Sequence, residues 1–284
     1  MKHILLPTDF SKNAWNAIEY ALNLYTDQEC TFHVFNVYNQ PASGPYTGIT
    51  SAKAREAIYH AQVENSKAGL EDVMQAIHDK FNNPKHTFTS LSKYEMFATA
   101  VIDVVKTLHI DCIVMGTKGA STFKEMTLGS NTASLIGVIN CPIIAVPKQK
   151  NYVTIREIGL STDLDLTFTT HGLDPLLRVA TANKSKVSIL HIMDRDKQLT
   201  AKQHEALEVL NSILNPLQSD FFTLTDIGVS SGVHAFVESR KLDMLCVIAK
   251  EQDFLKRILN QSYSKSISNH SNVPLLILNI KNFN

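Results

Sequence analysis

The stretch DCIVMGTKGASTFKEMTLGSNTASLIGVINCPIIAV, residues 111–146, has a second version later in the chain: DMLCVIAKEQDFLKRILNQSYSKSISNHSNVPLLIL, residues 243–278. Adding 132 to each number aligns the two without a gap, so that Asp111 meets Asp243, Lys118 meets Lys250, Lys124 meets Lys256, Ser130 meets Ser262 and Pro142 meets Pro274. The apolar runs coincide as well, Ile113-Val114-Met115 against Leu245-Cys246-Val247. Each copy reads as a strand, a loop, a helix and a strand. Such register points to one duplicated unit.

Outward from this pair, the first half alternates strand-like and helix-like runs. His3–Leu6 reads as a short buried strand ended by Pro7-Thr8-Asp9, and Ser11 can cap a helix with apolar residues at Ala14, Ala17, Ile18, Ala21, Leu22 and Tyr25. Thr31–Tyr38 is β-branched and aromatic, hence a second strand. Residues 39–50 hold two prolines and two glycines and form a loop. A long helix is expected over 51–81, a strand over His86–Leu91, a helix over Ala98–Leu108, a strand over Cys112–Met115, a helix over Thr132–Ile139 and a last strand over Pro142–Val146. The alternation predicts parallel sheets covered by helices. Residues 157–163 and 187–193 echo the first two strands, with Thr-Asp kept at the same corner. The expected division is a domain over 1–147, a linker over 148–153 and a second domain over 154–284.

Composition limits what such a chain does. Its 284 residues are 44% apolar, with 27 basic against 27 acidic side chains, so no net field draws in nucleic acid or an anionic membrane. No apolar run is long enough to cross a bilayer, and a cytoplasmic location is expected. Cys30, Cys112, Cys141 and Cys246 are scattered without a CxxC pair, which suits buried thiols. His33 and His191 alternate with apolar neighbours and read as structural, so no metal is expected. The Walker P-loop, the GxGxxG, GxSxG and HExxH patterns are all missing.

What separates the copies is glycine. Gly116, Gly119 and Gly129 stand opposite Ile248, Glu251 and Gln261. A residue needed only to make the turn would be expected in both copies, so these three are expected to serve a ligand. Gly116 ends a strand, where open parallel sheets bind ligands. Gly129-Ser130 leads into a helix whose first N–H groups, with the Ser130 and Thr132 hydroxyls, suit an anion such as a phosphate chain.

The spacing Gly116-x2-Gly119-x9-Gly129-Ser130 after Ile-Val-Met resembles the signature of the ATP-binding branch of the universal stress protein family. The opening Ile4-Leu5-Leu6-Pro7-Thr8-Asp9-Phe10-Ser11 and the closing Cys141-Pro142-Ile143-Ile144-Ala145-Val146-Pro147 are similar to it too. The resemblance implies two tandem open parallel five-stranded sheets with helices on both faces, an adenine nucleotide α-hydrolase-like or flavodoxin-like three-layer sandwich. It implies that the last strands of the halves pair within the chain, with a homodimer and an unidentified protein partner also open. It implies a site for ATP or AMP, with or without Mg2+. Asp9 would bond the ribose, Val37 border the adenine, and Pro7, Thr8 and Met115 shape the pocket. Gly116 would lie near the ribose, with Gly119, Gly129, Ser130, Asn131 and Thr132 around the phosphates. The implied role is a stress-response regulator that binds rather than an enzyme that turns over. The alternative is a tandem scaffold that binds no nucleotide and acts through protein contacts. A nucleotide-cleaving enzyme of the α-hydrolase group would need an SGGxDS-like loop, which Pro7-Thr8-Asp9-Phe10-Ser11 does not supply.

Overall fold

The computed structural model describes residues 1–38, 52–117, 129–148, 151–249 and 273–283. In chain order the elements are β1 (Lys2–Pro7), α1 (Lys12–Leu24), β2 (Cys30–Tyr38), α2 (Ala52–Lys80), β3 (His86–Tyr94), α3 (Phe97–Thr107), β4 (Cys112–Gly116), α4 (Ser130–Leu135) and β5 (Ile143–Val146). The second half continues with β6 (Glu157–Ser161), α5 (Thr170–Asn183), β7 (Lys186–Met193), α6 (Ala201–Leu214), β8 (Ser219–Thr225), α7 (Val229–Arg240), β9 (Met244–Ala249) and β10 (Leu275–Asn279), then a 3-10 turn at Ile280–Phe283.

The strands lie in the order β3-β2-β1-β4-β5-β10-β9-β6-β7-β8. Within each half every pairing is parallel. The two expected sheets are one. β5 and β10 pair antiparallel, Leu275 opposite Ala145 and Ile277 opposite Ile143, so each half covers the edge the other would leave open. Alternation along the strands sorts the core into two layers. Ile4, Leu6, Phe32, Val34, Cys112 and Val114 pack with α1 and α2 on one face. Leu5, Phe35, Ile113 and Met115 pack with α3 and α4 on the other. β1, β2 and β4 are buried on both faces, which is why their runs are continuously apolar.

Local chemistry sets the helix starts. Ser11 caps α1 by accepting from Ala14 N at 3.2 Å, Thr169 caps α5 from Gly172 N at 3.0 Å, and Thr200 with Gln203 forms a capping box on α6. Two expectations need revision. β3 runs on to Tyr94, because Thr87, Thr89, Ser90 and Ser92 are exposed along an edge strand that an apolar reading cuts short; Ser92, Lys93 and Tyr94 therefore belong to the strand and do not follow it. The helix expected over 132–139 begins at Ser130 and is over by Leu135, since Ile136 is extended (ψ 131°) and Gly137 takes φ 78°.

The four cysteines are buried thiols, and burial pushes Cys112 up to about 12 and Cys30 up to about 11. His33 is buried too, its Nδ1 2.7 Å from Thr89 Oγ1 and its Nε2 3.0 Å from His3 Nδ1. His191 Nδ1 lies 3.1 Å from the Thr162 carbonyl oxygen.

Candidate functional site

In the order β3-β2-β1-β4-β5 the strand sequence reverses between β1 and β4, and the carboxyl ends of those two strands are where an open parallel sheet parts to admit a ligand. β1 ends at Pro7 and β4 at Gly116. The register Ile4–Cys112 and Leu5–Ile113, continued upward, sets Pro7 beside Met115 and Thr8 beside Gly116. Residues 108 apart in sequence (116 − 8) thus meet at the switch point.

The corner after β1 is locked from inside. Thr8 N donates to Phe35 O at 2.8 Å, and the buried Asn36 donates through Nδ2 to Thr8 O, also at 2.8 Å. Asn36 is itself held by Ser66 Oγ of α2 at 2.7 Å. Phe10 N donates to Thr8 Oγ1 at 3.0 Å and Ser11 N to Asp9 Oδ1 at 3.1 Å, a paired Ser/Thr and Asx turn. The chain turns there through a positive φ of 62° at Phe10, whose ring lies on Gly69 of α2; a Cβ on Gly69 would stand 2.6 Å from it.

The second half repeats the corner bond for bond. Thr162 N donates to Leu190 O, Leu164 N to Thr162 Oγ1 and Asp165 N to Asp163 Oδ1, with φ 59° at Leu164. Thr-Asp builds the bend in both halves.

Opposite the corner, the chain returns to the tip of β4. Gly129 N donates to Thr117 O, and the buried Thr132 hydroxyl donates to Gly116 O at 3.3 Å. Gly116, Gly129 and Thr132 are therefore brought together. Ser130 and Asn131 are exposed on the first turn of α4. Gly129 occupies the N-cap position, where Ser130 had been expected to precede the helix. At six residues α4 carries little macrodipole. Val37 and Met115 fall on the α3–α4 face, Met115 buried in its core, whereas Thr8 and Gly116 face α1 and α2. Gly119, Lys118 and Lys124, the loop 39–50, and Glu251, Gln261 and Ser262 lie outside the described residues.

The sequence did not disclose a reason for Gly116 that belongs to the fold. A Cβ there would stand 2.9 Å from Asn13 Cγ and 3.2 Å from Asn13 O. The first turn of α1 needs that space. Where Ile248 replaces Gly116, the rear helix α5 begins at Thr170, four residues beyond the place equivalent to Lys12 (12 + 154 = 166). The fold thus has a use of its own for this glycine: the first turn of α1 packs against it in one half, and the other half starts its helix late. Asn13, Asn36 and Ser66 are not among the residues that the sequence pattern singles out. A lone Asn inside the apolar strand run Thr31–Tyr38 was the available signal for Asn36.

A separate cleft at the amino ends of the strands is lined by Lys2, Tyr25, Asp111, Asp174 and Arg178. There Asp111 accepts from His3 N, Asp174 pairs with Arg178, and Lys2 sits 5.5 Å over the Tyr25 ring. It is a seam between the halves, at the far end from the switch point. No group of His, Cys, Asp or Glu among the described residues could hold a metal ion, and no described helix is long and apolar enough to cross a membrane.

Two halves of a doubly wound three-layer sandwich, sharing one sheet and each reversing its strand order at one point, place the molecule among adenine nucleotide α-hydrolase-like, flavodoxin-like α/β proteins. The universal stress protein family model matches residues 1–147, and the chain belongs to the universal stress protein family. The universal stress protein MJ0531 of Methanocaldococcus jannaschii is 27% identical over 153 residues, 52% of this chain and 84% of its own. The universal stress protein Sll1654 of Synechocystis is 25% identical over 146 residues, 51% and 85% of the two chains. The crystal structure of a universal stress protein from Archaeoglobus fulgidus aligns over 98% of both chains at a TM-score of 0.66 and 14% identity, a likeness of fold that extends to the tandem.

Proposed function

We propose that the chain is a cytoplasmic stress-response regulator that binds ATP or AMP, with or without Mg2+, at the β1–β4 switch point of its first half. The observation that carries this reading is the closure of the chain over that point. Gly116 and Gly129, 13 residues apart, are drawn together by the Gly129–Thr117 and Thr132–Gly116 hydrogen bonds, directly across from the Thr8-Asp9 corner. Bare main chain on one side and the Asp9 carboxylate on the other suit a ribose with its phosphates. Pro7, Val37 and Met115, on the α3–α4 side of the same strand ends, belong to this set through the resemblance, and Ser130 and Asn131 stand exposed at the same rim. Gly119 belongs to this set through the family signature alone.

Residues 1–147 and 154–284 act as two domains joined by 148–153, the second supplying the partner strand and no nucleotide site. In this reading the consequence of binding is a change of shape or partner in place of turnover. Calorimetric titration of the full chain with MgATP and with AMP tests the reading. Gly129 has φ −59° and ψ 150°, so the rear half's residue fits there without backbone strain. Gly129→Gln should keep its melting temperature and lose the binding heat. Wild-type protein giving no heat and no melting shift at millimolar nucleotide would overturn it.

A further inference from the structure

Beside the switch point stands a group of rings that the folding core does not account for. Tyr38 and Tyr94 close β2 and β3 as register partners, their ring centroids 5.7 Å apart. Tyr59, from the third turn of α2, meets Tyr94 edge-on at 5.1 Å and 87°. Tyr59 and Tyr94 remain 40% and 43% exposed, so these rings keep flat apolar surface in water where their neighbours bury theirs.

Their placement is specific. In β2 the even-numbered residues Phe32 and Val34 face α1 and α2, and so does Asn36 through Ser66; Tyr38 continues that series. Phe88 sets the same parity for Tyr94. Tyr94, Tyr38, Thr8 and Gly116 thus form a row across the tips of β3, β2, β1 and β4, all on one face of the sheet. β2 and β4 are about 10 Å apart, a gap that a base and ribose bridge when the phosphates lie at Gly116.

The rear half supplies the independent observation. At the matching tips of β7 and β8 the register partners are Met193 and Thr225. The half that has lost its glycines has no aromatic ring at either tip. Rings and glycines occur together in one half and are missing together from the other, as two ends of one ligand site would be.

We infer that Tyr38, Tyr59 and Tyr94 form the seat for the ligand's aromatic base, the phosphate chain running from there toward Gly116 and Gly129. The inference rests on the nucleotide reading and names the part of the site that holds the base. Stacking on a tyrosine face uses the exposed area directly and needs no further charge.

The test uses the full chain and two probes, MgATP and magnesium tripolyphosphate, which carries the same phosphates without a base. Tryptophan fluorescence from Trp15, the single tryptophan, and calorimetry give the affinities. Tyr59→Ala and Tyr94→Ala should each weaken MgATP about 5- to 100-fold and leave tripolyphosphate unchanged, while Tyr94→Phe keeps wild-type affinity for both. If an alanine variant does not fold, Tyr94→Leu keeps the bulk without the flat face and must show the same selective loss. Wild-type affinity for MgATP in both alanine variants would overturn the seat and leave the nucleotide site standing. Equal losses for both probes would overturn it too, by exposing a general disturbance. A wild-type protein that binds neither probe removes the site and the seat together.

Discussion

Thr8-Asp9-Phe10-Ser11 and Thr162-Asp163-Leu164-Asp165 are one corner built twice, with the same three hydrogen bonds and the same left-handed third residue. At the amino ends of the strands, by contrast, the halves use different chemistry for one task. The first half stacks His3 on His33 with centroids 5.3 Å apart. The second places Glu157 and Ser188 at those positions, and Glu157 accepts from Ser188 Oγ and from Arg240 Nε at 2.5 Å. Asp111 and Asp243 are unchanged between these two arrangements, each accepting from the backbone at the start of the neighbouring strand. What both halves keep is what the fold requires. Asp9 is therefore no evidence of a ligand by itself, and Gly116 answers in part to Asn13, whereas Gly129 and the tyrosines, present on one side only, are informative.

The largest test of the contrast exchanges a residue across it. Gly116→Ile installs the rear side chain where Asn13 sits, and overpacking of this kind costs about 1–3 kcal/mol. Urea denaturation should show that loss together with lost nucleotide binding. Full stability would mean that α1 starts late as readily as α5 does. Next, Arg240→Leu brings in the residue found at the matching front position, Leu108. It leaves Glu157, with 19% of its side chain exposed, facing Ser188 without its cation, and removes the guanidinium 4.4 Å from the Phe222 ring. A loss of about 1–3 kcal/mol is expected in the urea midpoint.

A smaller effect depends on pH. Burial, then the neighbouring His3, lowers the His33 pKa below its ordinary 6.5, and burial lowers that of His86. Below pH 6.5 the unfolded chain then binds more protons than the folded one, so stability present above that pH declines as pH falls through the folded values. Urea midpoints between pH 8 and 5 should drop on the acid side. His33→Ser, which copies Ser188, should flatten the slope; an unchanged slope would remove His33 as its source. The smallest change is expected from Asp9→Ala and Asp163→Ala, each losing one turn hydrogen bond worth about 0.5–1.5 kcal/mol. Equal stability losses with nucleotide affinity reduced only in Asp9→Ala would divide ligand role from turn role. No loss of affinity in either would confine Asp9 to the bend.

The sheet, the duplication and the order of elements were legible because buried parallel strands are continuously apolar and because residues 111–146 and 243–278 align without a gap. The edge strand β3 was read too short, since half of its side chains face water and dilute the signal. The early stop of α4 depends on the backbone at Gly137, which composition does not report. Contacts joining distant positions left no local trace: Asn13 against Gly116, Arg240 with Glu157, Tyr59 with Tyr94. The 3-10 turn at Ile280–Phe283 escaped for the same reason. Phe283 is packed so closely on Gly172 that a Cβ there would stand 2.7 Å from its ring.

The place of β10 in the middle of the sheet carries a consequence for biosynthesis. β5 ends at Val146 and its partner begins at Leu275, 129 residues later (275 − 146). At ribosomal speeds of about 5–20 residues per second, the nascent front half holds a bare strand edge for roughly 6–26 seconds before its own chain can cover it. Throughout that interval the β5 of a neighbouring nascent chain is a competing mate, so crowded polysomes set a race between closure within one molecule and cross-pairing of two.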